Sequence, residues 1–161
     1  MENHRIYNFS AGPSMLPLEA LTRAGAEITN YGGSGMSVME MSHRSKAFDR
    51  IFQDTKTKLR QLLQVPDSHE ILFLQGGAST QFSAVPLNLM GRTGKADYAV
   101  TGHFAQVAAK EAGKYGQVSL AADVSGENFT TIPAQEAPRL DPGASYFYYC
   151  SNNTIYGTEW Q

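Results

Sequence analysis

The sequence predicts an α/β domain with a largely parallel sheet. Short apolar runs of strand length alternate with stretches whose apolar residues recur at helical spacing. Glycine, proline and asparagine punctuate the joints between them. The size agrees: 161 residues, 42% hydrophobic and 17% charged, suffice for one domain with a real core.

The elements follow in order. "YNFSAGPSMLP" reads as extended and turn-rich, with Ser10, Gly12 and Pro13 shaping the turn. Pro17 opens a helical stretch, "PLEALTRAGAEITNYG", with Leu18, Leu21, Ala24 and Ile28 on one face. Residues 31–45, "YGGSGMSVMEMSHRS", form a glycine-rich loop long enough to carry function. The clearest helix spans 45–64, where Phe48, Ile51, Phe52, Leu59, Leu62 and Leu63 make an apolar stripe. "ILFLQ" at 71–75 reads as a strand, followed by a helix over 79–90 that Pro86 should kink or end early. "ADYAV" is a second strand, ending near "TGHF". Phe104, Val107, Ala108, Ala112 and Tyr115 mark the next helix face. "QVSLAA" is a strand, residues 129–132 a short one, and "EAPRL" at 136–140 a helical turn. "SYFYYC" is the last strand, and "SNNTIYGTEWQ" follows as loop. No internal repeat is evident.

Charge and composition exclude several functions. A net charge of -2 steers the chain neither to nucleic acid nor to an acidic membrane surface. The one cysteine rules out an internal disulfide framework and any multi-cysteine zinc site; Cys150, in an apolar run, reads as a buried inert thiol. No metal site is expected. The N-terminus lacks an apolar signal core and no run reaches membrane-spanning length, so a cytoplasmic protein is expected.

The chemistry concentrates in "GGAST", residues 76–80. At the carboxyl end of a strand, a helix start offers unpaired N–H groups and the positive end of a dipole, which together bind an anion. Gly76 and Gly77 let the backbone come close, and Ser79 and Thr80 bring hydroxyls. The nucleoside-triphosphate loop is excluded because its lysine is absent, and the dinucleotide fingerprint because its third glycine is absent. A tight connector with a serine cap accounts for the stretch equally well.

Five separated pieces carry a resemblance: "FSAGPSMLP", "MEMSHRS", "LQGGASTQF", "GHFAQVAAKEA" and "NNTIYGTEW". In their order and spacing they resemble the phosphoserine aminotransferases, fold-type I enzymes dependent on pyridoxal phosphate. The resemblance implies the N-terminal part of a fold-type I large domain, a mostly parallel sheet flanked by helices. It implies residues 1–30 as an arm and helix, and 31–161 as the first, incomplete part of the cofactor-binding domain. The implied reaction moves an amino group between L-glutamate and 3-phosphohydroxypyruvate, giving O-phospho-L-serine and 2-oxoglutarate in serine biosynthesis.

By the same resemblance, Gly77, Ala78 and Ser79 cradle the cofactor phosphate. Phe104 stands where the family commonly has a tryptophan on the cofactor ring, and an aromatic face suits that place. By periodicity alone Phe104 reads as core. Thr154 matches a threonine whose hydroxyl lies by the ring, although "NNT" also suits an ordinary turn. Asn152 and Asn153 read as turn formers. His43 and Arg44 match a pair that binds the substrate's phosphate or carboxylate from the neighbouring subunit of a homodimer, a role suited to the fork of arginine. Read locally, "SHRS" is a capped, solvated helix start. "FSAGP" is expected near the site entrance.

The family also needs a lysine that forms a Schiff base with the cofactor and an acidic partner for the pyridinium nitrogen. Lys46, Lys56, Lys58, Lys95, Lys110 and Lys114 are all on helix faces or in a turn. No catalytic residue is therefore assigned, and an N-terminal fragment without activity of its own is expected. Such a fragment should leave the strand at 71–75 in need of a partner. Two alternatives stay open: another fold-type I aminotransferase, and a small non-enzymatic α/β module whose glycine turn holds an anion.

Overall fold

The computed structural model describes residues 5–134, 136 and 138–160. It contains two compact units, Met1–Phe73 and Leu74–Gln161.

In the first unit, helix α1 spans Leu18–Glu27 and buries none of its residues. Leu18, Leu21 and the following Ile28 have the expected spacing, yet all three stay exposed. The glycine-rich loop contains two 3-10 turns, Tyr31–Gly33 and Val38–Glu40. Ser37 and Glu40 fix the second turn reciprocally. The Met39 amide donates to Ser37 Oγ at 3.2 Å, and the Ser37 amide donates to Glu40 Oε2 at 2.7 Å. Helix α2 spans Lys46–Leu62, close to expectation. Ser45 Oγ caps it by accepting from the Phe48 amide at 3.2 Å. Near its end, the Arg60 guanidinium donates to the carbonyls of Val65, Pro66 and His69, folding the next loop against the helix terminus.

The strand expected at 71–75 is not formed. Leu72, Phe73 and Leu74 are exposed, and no partner strand pairs with them among the described residues. Apolar, strand-like composition does not make a strand without a neighbouring ladder.

In the second unit, helix α3 spans Gly77–Leu89 and a 3-10 turn follows at Met90–Arg92. Pro86 does not end the helix, which continues to Leu89. Pro86 is buried, so packing holds the turn that its missing N–H weakens. Strand β1 spans Lys95–Val100, helix α4 His103–Ala112 and strand β2 Gln117–Asp123. β3 is only Phe147–Tyr148, shorter than expected, and Phe129–Ile132 is not a strand. Asn128 and Phe129 have φ near 52° and 58°, a left-handed conformation incompatible with one. The helical turn expected at 136–140 does not form: residues 138–140 are not helical, and residue 137 lies outside the described residues. In the segment expected to be loop, β4 (Asn152–Asn153) and β5 (Thr158–Glu159) pair as an antiparallel hairpin.

The main sheet is parallel in the order β2-β1-β3, with a register shift between Tyr98 and Ala99. β1 is central and buried along its length after Lys95. Met90, Ala96, Tyr98, Val100, Ala108, Ala109 and Ala112 form the core, with Phe82, Tyr146 and Tyr148 against it. The α4 face turned inward is made of Ala105, Ala108, Ala109 and Ala112. Phe104, Val107 and Tyr115, expected there, are partly exposed, because a helix lying close to a sheet takes small residues at the contact.

Candidate functional site

Two helices of the second unit begin without a side-chain cap. Before α3, Gly76 has φ 91°, and a Cβ there would lie 1.9 Å from Thr80 Oγ1. Glycine is thus required both for conformation and for space. Gly77 has φ 57° and open space where a Cβ would project. The first amide to find a helical acceptor is that of Thr80, which donates to the Gly76 carbonyl at 3.3 Å. The amides of Gly77, Ala78 and Ser79 therefore have no partner among the described residues, and all three residues are exposed. The serine cap that the sequence also allows does not form. Thr80 packs its side chain over Gly76, which leaves Ser79 as the free hydroxyl of the turn.

Chain geometry gives this turn its place. α3 ends at the amino end of β1: Met90 is buried, and its carbonyl accepts from the Gly94 amide at 2.8 Å just before β1 begins. α3 packs on α4, the Ser83 hydroxyl donating to Glu111 Oε1 at 2.8 Å; with its end at the amino end of β1, its length of about 20 Å carries its start toward the carboxyl side of the sheet. Ligands of open parallel sheets collect on that side.

α4 begins there as well. β1 ends at Val100, Thr101 and Gly102 follow, and His103 starts the helix. Phe104, in the first turn, is 47% exposed, its ring meeting His103 edge-on at 5.4 Å. The core position that periodicity assigns to it is overturned, and a free aromatic face results. Thr154 lies exposed in the turn of the β4–β5 hairpin.

Asn153, read from sequence as a turn former, does more. It is 5% exposed and donates through Nδ2 to Thr101 Oγ1 at 3.3 Å and Thr158 Oγ1 at 2.9 Å. Its carbonyl accepts from the amides of Tyr156 and Gly157 at 3.2 and 2.8 Å. A Cβ on Gly102 would lie 2.3 Å from Asn153 Oδ1. Sequence reasoning missed Thr101, Gly102 and Asn153 together, since the contact joins segments about fifty positions apart. The available signal was a Thr-Gly pair after one strand and an asparagine after another.

His43 and Arg44 belong to the first unit. Both are exposed in the turn before α2, where the Arg44 amide donates to Ser42 Oγ at 3.3 Å. Cys150 is half-buried, its Sγ 3.8 Å from the Tyr148 hydroxyl. Among the described residues, no group of three or more His, Cys, Asp or Glu could hold a metal ion. No helix among them is long and apolar enough to cross a membrane.

The second unit thus has three unpaired amides at the start of α3, an exposed aromatic face at Phe104 and an exposed hydroxyl at Thr154. Comparison with known proteins identifies the family. The aminotransferase class-V family model matches residues 6–161. The chain is 50% identical over 157 residues to a phosphoserine aminotransferase of Nitrosomonas europaea, covering 98% of this chain and 43% of that protein. A Bacillus cereus phosphoserine aminotransferase is 49% identical over 156 residues, with 97% and 43% covered. The solved phosphoserine aminotransferase of Bacillus circulans subsp. alkalophilus matches with a TM-score of 0.91 at 41% identity, covering 98% of this chain and 44% of that one. A pyridoxal-phosphate-bound phosphoserine aminotransferase of Trichomonas vaginalis matches with a TM-score of 0.89 at 44% identity, with the same coverage. The chain therefore spans less than half the length of these curated relatives, and it shares their fold over that span.

Proposed function

We infer, from the premise that this chain belongs to the aminotransferase class-V family, that it carries the phosphate-holding part of a pyridoxal-phosphate site in a phosphoserine aminotransferase. The reaction is amino transfer between L-glutamate and 3-phosphohydroxypyruvate, giving O-phospho-L-serine in the cytoplasm. The observation that carries this is the uncapped start of α3, where three neighbouring amides and the Ser79 hydroxyl are free for one anion.

Each residue has a task. The amides of Gly77 and Ala78, with the amide and hydroxyl of Ser79, bind the phosphate and fix one end of the cofactor. Phe104 offers its exposed face to the planar ring and keeps water from it. Thr154 presents a hydroxyl to the ring's polar substituents. Pyridoxal phosphate, when bound, supplies the electron sink for amino transfer. His43 and Arg44 bind the phosphate or carboxylate of the substrate in a partner subunit's site, a homodimer being part of the proposal. The one lysine on a strand, Lys95, begins β1 and so lies at the end of the sheet away from the site.

Pyridoxamine 5'-phosphate tests the phosphate seat without labelling lysines, since it has no aldehyde. The chain is expected to bind it at least tenfold more tightly than pyridoxamine, by the usual worth of charge-assisted hydrogen bonds. Equal affinities would refute the assignment. With glutamate and 3-phosphohydroxypyruvate added, this chain alone is expected to form no phosphoserine above a cofactor-only blank.

A further inference from the structure

We propose that Asn153 is a positioning residue whose carboxamide interlocks with Thr101 and Gly102, holding Thr154 and the first turn of α4 as one preformed surface. This rests on the assignment of Phe104 and Thr154 to the cofactor ring.

The two groups come from distant segments. Phe104 rides on α4, which starts at the end of β1, and Thr154 rides on the hairpin after β3. A short exposed hairpin of two-residue strands is not rigid by itself. Asn153 supplies what the hairpin lacks. Its carbonyl closes the turn that contains Thr154. Its side chain ties that turn inward to Thr158 and across to Thr101, which is fully buried.

Gly102 completes the interlock for a reason separate from flexibility. Its φ of -177° is extended backbone that any residue adopts. Glycine is needed there for room, because the Asn153 carboxamide occupies the place of a Cβ. The close approach sets the spacing between the start of α4 and the hairpin. A side chain at 102 must push the two apart, and with them the aromatic face and the hydroxyl on either side.

The test is a double-mutant cycle in this chain with Gly102→Ala, Asn153→Ala and the pair, plus Thr158→Val as a mild variant that keeps the packing. Pyridoxamine 5'-phosphate is the probe. Its affinity is read by quenching of Trp160, the only tryptophan, which borders the hairpin with its amide donating to the Ser151 carbonyl. Thermal melts are recorded in parallel.

Gly102→Ala is expected to weaken binding roughly tenfold, as overpacking in a tight contact does. Asn153→Ala should weaken it about threefold to tenfold, and Thr158→Val about threefold, by loss of hydrogen bonds. In the pair, the new methyl enters space vacated by the carboxamide. The pair should therefore bind more tightly than Gly102→Ala alone, a rescue that independent sites do not give. Simple multiplication of the two losses would overturn the proposal. So would lowered melts with unchanged affinity in the folded variants, the mark of a purely structural contact. If the unaltered chain does not prefer pyridoxamine 5'-phosphate over pyridoxamine, the cofactor assignment falls and this role falls with it. If it does prefer it and the variants lose no affinity, only the interlock falls.

Discussion

At the scale of single residues, the glycine turn shows how two adjacent identical letters take different parts. Gly76 is left-handed and pressed by Thr80, whereas Gly77 is left-handed and open. Gly76→Ala should cost about 1–3 kcal/mol, from the strained conformation and the clash together. A urea melt checks this, and adding Thr80→Ala should recover only part of the clash, since the Cβ of residue 80 stays 2.5 Å from the new methyl. Gly77→Ala meets no neighbour, so it should cost less. The need for a bare backbone here was readable in the sequence, because paired glycines between an apolar run and a helix mark a sharp turn or a close approach. The difference between the two glycines was not readable, since it depends on where a side chain four residues later turns. Asn153 and Gly102 lay further out of reach. Neither has a local pattern that announces the other.

At the scale of elements, local rules held where one segment contains its own determinants. α2 has its apolar stripe, its Ser45 cap and its Arg60 anchor all within reach of one another, and it forms nearly as read. Ser45→Ala should lower stability by about 1 kcal/mol, the usual worth of such a cap, measurable by a denaturant melt. The same local reading of "SHRS" as a capped helix start is realised in the turns at Ser42 and Ser45. Local rules failed where an element needs a distant partner. Residues 71–75 have strand composition and no ladder to join among the described residues. β4 and β5 were hidden in a polar stretch whose pairing depends on a turn around Asn153. On α4, Ala108 and Ala112 of the expected face are buried, but Phe104 and Val107 are not, and Tyr115 lies beyond the helix; the inward face is a row of alanines. Pro86 does not end α3 early, and it is buried within the helix.

At the scale of the whole molecule, the α/β class and the parallel sense of the sheet were legible from alternation alone, whereas the order β2-β1-β3 was not. Nor was the exposure of large apolar side chains. Ile6, Phe9, Leu72 and Leu87 are among the large apolar side chains left in solvent. Alkaline pH probes the interior instead. Burial raises the phenol of Tyr98, which also shares a 2.8 Å hydrogen bond with the Tyr146 hydroxyl, and burial raises those of Tyr146 and Tyr148. These groups stay protonated in the folded chain at pH values where the unfolded chain ionises. Their contribution is therefore fully present below the ordinary value of 10 and declines as pH rises beyond it. Melting temperature should be insensitive to these groups from neutral pH up to that value and fall above it. A flat profile through the alkaline range would show that the three phenols are not shielded as the structure has them.

The strand order has a consequence for how the chain acquires its shape. β1 meets β2 after a single helical crossover, but it meets β3 only after a far longer excursion that closes on Asp97 and Tyr98. Closing the longer loop costs more chain entropy, so during folding the β1-α4-β2 unit should mature first and the third strand arrive late. The hairpin bearing Thr154 comes after that strand. Thr154 is thus among the last residues to reach its place, whereas Phe104, on α4, and the start of α3, on the helix just ahead of β1, are in place early.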